Sequence, residues 1–273
     1  MTENRGRSAE LFRQLHTPGN PLIVGNAWDA ASAVAFQHAG FKAVATTSGG
    51  LAWANGYADG NQIARETLLG SVRRILAVLD TPLSVDIEGG FAREAPAIAA
   101  LVAALSEQGV AGINLEDSWN FELVPVEEHA NRIAAAREAS SGLFLNARID
   151  TFFFGTGSAR ERLDGTITRA IAFAKAGADG IFVPGLADLE LIRELTAGVD
   201  VPVNIMTGPG GPSVQQLAEA GVARVSFGTA LAEAAYSRAY DLALQLCAST
   251  QVDEQRLSLD YPTLNALLAR PEA

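Results

Sequence analysis

At 273 residues, with 48% hydrophobic and 19% charged side chains, the chain has the size and composition of one α/β unit with a large core. Its formal net charge of -11 argues against nucleic acid or an anionic membrane as partner, since phosphates would repel it. One cysteine, Cys247, excludes an intrachain disulfide and a Cys-rich zinc site.

The N-terminus, Met-Thr-Glu-Asn-Arg, has no apolar leader, and no apolar run is long enough for a membrane span, so a cytoplasmic enzyme is expected. Residues 1–20 read as an amphipathic arm carrying Leu11, Phe12 and Leu15. Strands are then expected near 22–25, 43–47, 83–87, 111–115, 143–147, 179–183, 201–205 and 223–227. Helices fit between them at 29–39, 62–79, 93–108, 127–139, 160–176, 187–197, 213–220 and 229–247. One phrase recurs at the joins: Ala39-Gly40, Gln108-Gly109, Ala176-Gly177 and Ala220-Gly221 each end an Ala-rich helical pattern and lead into a β-rich run. A glycine there suits the left-handed position that terminates a helix.

Repeated helix–Gly–strand joins imply parallel strands, and eight such units favour a (β/α)8 TIM-type barrel, residues 1–273 forming one α/β domain. No GxGxxG or P-loop follows the first strand, which weakens a nucleotide-binding assignment. Residues 248–273 add a tail with Leu257, Leu259, Tyr261, Leu264 and Leu267. Arm and tail are surplus to a monomeric barrel. Such additions cap the barrel floor or pack on another subunit, and subunit contacts, hence a homo-oligomer, are the expectation.

The expected strands end in polar groups: Asp86 and Glu88, Glu116 and Asp117, then Asn146, Arg148 and Asp150. In a parallel barrel these ends share one rim, where barrel enzymes keep their chemistry. Crowded carboxylates repel unless a divalent cation neutralises them, so Asp86, Glu88 and Glu116 are candidate metal ligands. Oxygen donors without a histidine cluster point to Mg²⁺ or Mn²⁺. Arg148 suits a bidentate grip on a substrate carboxylate, compatible with an ion pair to Asp150 or Glu116. Thr47, Ser48 and Gly49, with Gly50, offer hydroxyls and open N–H groups as an anion nest, and Asn204 at the end of strand seven could orient the same ligand. Lys42 and Lys175 fall on the opposite rim, which excludes a Schiff-base mechanism, and His16, His38 and His129 lie in the arm or in helices. Trp28, Trp53 and Trp119 read as packing residues that could also wall the pocket.

Taken together, Thr47-Ser48-Gly49 with Gly56-x-x-Asp59, Val85-Asp86-x-Glu88-x-Gly90, Leu115-Glu116-Asp117 and Ala147-Arg148-x-Asp150 resemble the phosphoenolpyruvate mutase/isocitrate lyase superfamily. The resemblance spans the barrel from Gly25 to Gly228. It implies Mg²⁺ and a small α-oxo, α-hydroxy or enol-phosphate carboxylate. By similarity Asp86 would touch the metal, while Asp59, Glu88 and Glu116 would hold its waters, with Glu88 replacing the commoner Asp. Thr47, Ser48 and Gly49 would cradle the substrate carboxylate and Arg148 would bind from the opposite side, so Asp59, Glu116 and Arg148 are the expected catalytic residues. The resemblance also implies tetramers, a dimer of dimers that exchange their eighth helix, which suits residues 229–247 and the tail.

One stretch departs from the pattern. Where lyases of this superfamily carry Lys-Arg-Cys-Gly-His, and mutases a Lys with an Asn-rich loop, this chain has Ser118-Trp-Asn-Phe-Glu-Leu-Val-Pro125. The leading expectation is therefore a Mg²⁺-dependent carbon–carbon lyase working through an enolate. Oxaloacetate-type decarboxylation tolerates the missing Cys best, because no hydroxyl proton must be removed. A retro-aldol cleavage needs another base, for which Glu122 and Tyr57 are weak candidates. The alternatives are rearrangement or hydrolysis of a phosphonate, and a non-catalytic keto-acid-binding protein.

Overall fold

Residues 2–249 and 258–269 are described by the computed structural model. Within them lie, in chain order, β1 (Leu22–Ile23), β2 (Gly25–Ala27), β3 (Val44–Thr46), β4 (Leu83–Asp86), β5 (Gly112–Glu116), β6 (Ser118–Trp119), β7 (Glu122–Leu123), β8 (Phe144–Arg148), β9 (Gly180–Val183), β10 (Val203–Met206) and β11 (Arg224–Ser226). All but β6 and β7 form one sheet in the order β1-β11-β10-β9-β8-β5-β4-β3-β2, every pairing parallel. Only Val24 separates β1, which pairs with β11, from β2, which pairs with β3, and the Val24 N–H donates to Val225 O at 3.0 Å. Residues 22–27 are thus one interrupted strand that closes the sheet into a TIM-type barrel, as expected.

Strand periodicity sorts the side chains. Val85, Ile113, Ala147, Ile181, Ile205 and Val225 belong to the large core cluster shared with the surrounding helices, whereas Asp86, Asn114, Arg148, Met206 and Ser226 alternate with them and face the barrel mouth. The recurring glycine behaves as its position demands: Gly40, Gly109, Gly177 and Gly221 all have positive φ, between 82° and 113°.

The arm lies elsewhere than expected. Helix Thr2–Gln14 closes the barrel floor of its own chain, and Phe12 is wholly buried among Leu22, Val24, Ala45 and Phe144. Its ring meets Phe144 edge-on at 5.5 Å, and His16 stacks on the same Phe144 ring at 4.2 Å. A side chain at Gly112 would come within 2.7 Å of the Phe12 ring, so the plug depends on that strand position being bare. Asp179 ties the plug down by pairing with both Arg13 and Arg137. The physical reason is volume: small inward residues such as Ala45 and Gly112 leave room that only an added aromatic ring fills. In the tail, helix Tyr261–Leu268 packs on helix Ala30–His38, with Leu264 and Leu267 half-buried; Leu257 lies outside the described residues.

No helix among the described residues is long and apolar enough to cross a membrane. Burial draws the pKa of His16 and of His129 down to about 3, so both are uncharged, and neither lines the cavities at the mouth.

Replacing Phe12 with Ala should open a cavity in the floor and cost about 3–5 kcal/mol of unfolding free energy. Replacing exposed Leu11 with Ala should change stability by less than about 0.5 kcal/mol. Urea unfolding of the two variants measures the difference.

Candidate active site

The polar ends of β4, β5 and β8 meet at the barrel mouth around two adjoining cavities. The inner one, about 230 Å³, is lined by Thr47, Ser48, Asp59, Asp86, Asn114 and Arg148 among others. The outer one, about 310 Å³, takes in Glu88, Glu116, Ser118 and the aromatic rings of Phe121, Phe153 and Phe154. Ser48, Asp59, Arg148 and Phe153 border both.

Register places the central pair. Glu116 stands directly opposite Arg148 across β5 and β8, and Arg148 Nη1 donates to Glu116 Oε2 at 2.9 Å. The other edge of the guanidinium engages Asp150, Nε to Oδ1 at 2.7 Å. Ser118 completes the frame, its hydroxyl donating to Asp150 at 2.7 Å and lying 3.2 Å from Glu116. Burial works against the Arg148 charge, but Glu116, Asp150 and Asp86 more than offset it, so its pKa is raised. Both ion pairs considered from sequence therefore exist, and they aim the guanidinium at the cavities.

The acids divide between two tasks. Asp117 and Asp150 are wholly buried and structural: Asp117 accepts from the Asp150 N–H at 2.8 Å and pairs with Arg169 at 2.9 Å. Asp86, Glu88 and Glu116 face the cavities. Burial raises the pKa of Asp86, opposed by Arg148 and by the Glu88 N–H, which donates to it at 2.9 Å. Burial likewise carries Glu88 to about 7, reinforced by Asp86 and Asp59, and Glu116 to about 8 despite Arg148. Glu88 also holds a left-handed backbone, φ 50°, uncommon for a side chain of this size and of the kind that collects at functional sites.

Among the described residues, no three His, Cys, Asp or Glu side chains lie close enough together to ligate one ion directly. Asp86, Glu88 and Glu116 are thus not a ready set of three direct ligands, because Glu88 is drawn to the Asn61 N–H and Glu116 to Arg148. The donor chemistry nevertheless suits a hard divalent cation. The acids are all-oxygen donors, Asp86 raises the pKa of both glutamates, and a cation such as Mg²⁺ keeps several waters and takes only one or two carboxylates.

Thr47-Ser48-Gly49 is a helix start rather than a loop. Helix Ser48–Ala54 begins there with Thr47 as its N-cap, leaving the N–H groups of its first turn without intrahelical acceptors. A side chain at Gly49 would meet the Thr229 methyl at 2.9 Å and Asp59 at 3.2 Å, which fixes how closely these segments approach. Asn204 does not reach the cavities. Its amide donates to Ile205 O, Arg224 O and Ser226 Oγ, and it accepts from Asn146, one layer deeper. Glu122, Tyr57 and the three tryptophans also lie outside the lining of both cavities. Sequence reasoning missed Asn61 and Ser118, whose signal lies only in contacts between distant segments, and the aromatic rim, where Phe152-Phe153-Phe154 was a visible cue.

The model of the family described as phosphoenolpyruvate phosphomutase matches residues 12–247. A solved structure from Burkholderia cenocepacia J2315, provisionally assigned as a phosphonomutase, is 42% identical with a TM-score of 0.84, covering 88% of this chain and 100% of its own. The 2-methylisocitrate lyase of Escherichia coli K12 is 32% identical over 206 residues, 71% of this chain and 68% of the relative. An oxaloacetate decarboxylase of Pseudomonas putida KT2440 is 29% identical over 262 residues, 90% of this chain and 87% of the relative.

Replacing Arg148 with Met should strand Glu116 and Asp150 without their cation and cost about 3–5 kcal/mol. Replacing Ser118 with Ala removes neutral-donor bonds only and should cost about 1–2 kcal/mol. Denaturant unfolding of the metal-free proteins gives both values.

Proposed function

Because the chain belongs to the phosphoenolpyruvate mutase/isocitrate lyase superfamily, we propose that it is a Mg²⁺- or Mn²⁺-dependent carbon–carbon lyase acting on a small α-oxo or α-hydroxy carboxylate. The observation that carries this is Arg148, held by Glu116 and Asp150, facing Asp86 across a cavity of about 230 Å³. Asp86 would hold the cation directly, and Asp59, Glu88 and Glu116 would hold its waters. The cation, when bound, would supply the positive charge against which an enolate-type oxyanion develops as the bond breaks.

The chain's own groups do the rest. The hydroxyls of Thr47 and Ser48 and the open first turn of helix Ser48–Ala54 receive the substrate carboxylate. Arg148 binds from the other side without reorganising, because both edges of its guanidinium are already braced. No Cys, His or Lys lines either cavity among the described residues, so a base for deprotonating a hydroxyl is not supplied by those residue types. That favours cleavage in which the departing fragment is CO₂, and the likeness to an oxaloacetate decarboxylase supports the same choice. A phosphonate reaction is the second reading, supported by the likeness to the Burkholderia structure but opposed by the single cation at the site.

Mass spectrometry of the Mg²⁺-loaded protein with oxaloacetate, isocitrate, 2-methylisocitrate and malate derivatives should show cleavage of at least one. Chelation should abolish it, and Asp86→Asn should lower kcat/KM by on the order of 100-fold or more. Absence of turnover with metal bound would count against a lyase, and phosphorus NMR showing a phosphonate made or consumed would favour the second reading.

The homo-oligomer expected from sequence is likewise proposed, now on the last helix, Ala230–Ser249. Tyr236, Tyr240 and Leu244 line one stripe of it at four-residue spacing and are 41%, 65% and 51% exposed. So much apolar surface on one helix face suits a second copy of the chain, with these helices exchanged. Light scattering should give a multiple of the monomer mass for the wild type, and Tyr240→Glu with Leu244→Glu should shift it to monomer.

A further inference from the structure

The rim of the outer cavity is built from three phenylalanines in sequence contact. Phe121 meets Phe154 at a centroid distance of 5.9 Å, Phe154 meets Phe153 at 6.0 Å, and Phe153 lies 5.9 Å from the Arg148 guanidinium. Phe121 is 76% exposed and Phe153 46%, large values for aromatic residues at a cavity edge. The Phe121 ring is held in place at a conformational cost. Phe121 occupies the tip of the β6–β7 hairpin, where Asn120 and Phe121 have φ of 51° and 65°. That is the two-residue turn that favours Asn-Gly, and a phenylalanine in the second place is strained. Phe153 rests on Gly185, where any side chain would approach its ring within 2.9 Å. Strain retained at a cavity edge is a pointer to use.

Charge at the same cavity is lopsided. Asp59, Glu88 and Glu116 line it, and among the described residues Arg148 is its only cation, already paired with Glu116 and Asp150. A substrate whose carboxylate head fills the inner cavity therefore extends its remaining atoms toward three acids and three aromatic rings. Carboxylates beyond the head and a departing CO₂ would find no free cation among the described lining residues, and an apolar group would meet a fitting surface.

We infer that Phe121, Phe153 and Phe154 determine specificity, selecting α-oxo or α-hydroxy acids that carry an apolar alkyl or aryl substituent and rejecting tricarboxylates. The inference rests on the proposed function, in that the inner cavity must take the carboxylate head. The rings reward the substituent, and with Arg148 already paired no lining cation among the described residues is left for the extra carboxylates of a tricarboxylate.

Binding, rather than turnover, tests it. Calorimetry on the Mg²⁺-loaded protein would compare oxalate, pyruvate, 4-methyl-2-oxopentanoate, phenylpyruvate and isocitrate. Affinity should rise about tenfold or more from pyruvate to phenylpyruvate, and isocitrate should bind more weakly than pyruvate. In Phe121→Ala and Phe153→Ala the phenylpyruvate-to-pyruvate ratio should fall to within about threefold. Isocitrate binding as tightly as phenylpyruvate, or a ratio that survives both substitutions, would overturn the inference while leaving the lyase proposal standing. Failure of oxalate itself to bind would remove the carboxylate-head premise, and the inference with it.

Discussion

The register of β5 against β8 is the constraint from which the mouth of the barrel follows. It sets Glu116 opposite Arg148, and the bonds just beyond continue the same lock: Asp117 N–H to Arg148 O at 3.0 Å, and Asp150 N–H to Asp117 Oδ1 at 2.8 Å. A slip of one residue would turn Arg148 toward the helices and bring Ala147 or Ile149 to the cavity. Burying so many charges is tolerable only because each structural acid has a cation or an N–H donor, and Arg148 serves two of them at once. Burial drives the pKa values of the cavity-facing Asp86, Glu88 and Glu116 upward, and an added cation would offset that penalty.

The two ends of the barrel solve opposite problems. At the floor, inward residues are small and the space is filled from outside by Phe12, an apolar solution secured by Asp179 with Arg13 and Arg137. At the mouth, inward residues are Asn, Asp and Arg, and the space stays open. Arg224 lies between, wholly buried with its guanidinium 5.6 Å from the Phe12 ring. Burial draws its pKa to about 10, and the charge of Asp86 opposes that fall, so the plug and the mouth are linked electrostatically through the interior.

Much of this was legible in the chain because it rests on local chemistry. Glycines 40, 109, 177 and 221 announced helix ends, the strands followed, and Asp86, Glu88, Glu116 and Arg148 lie at the mouth where strand ends in a parallel barrel must lie. What escaped depended on distance. Ser48-Gly49-Gly50 reads as part of an anion nest, yet it winds into a helix, and its glycines stand where Thr229, Thr47 and Trp28 leave little room for side chains. Asn204 ends a strand as expected, but neighbouring acceptors in β10 and β11 capture its amide below the cavity. The arm pointed to an interface by its apolar stripe, and nothing local could tell that a gap in its own barrel floor would take Phe12.

The loop that departs from the superfamily pattern brings these strands together. In place of a flexible segment carrying Cys and Lys, residues 118–123 fold back as the antiparallel β6–β7 pair, Ser118 opposite Leu123 and Trp119 opposite Glu122. Its base is immobilised where Ser118 braces Asp150 and Val124 N–H bonds Asp117 O at 3.0 Å, and its tip carries a strained phenylalanine. Such a hairpin carries no thiol or amine, so in the proposed lyase proton transfer by those groups would give way to charge held in fixed positions around Arg148 and Asp86. A reaction that needs only electrostatic support for a developing anion survives that exchange, whereas one that must first deprotonate a hydroxyl requires a base from elsewhere. On the proposed function, the same substitution turns the loop from a reagent into a wall, so that the chemistry and the choice of substrate would change together.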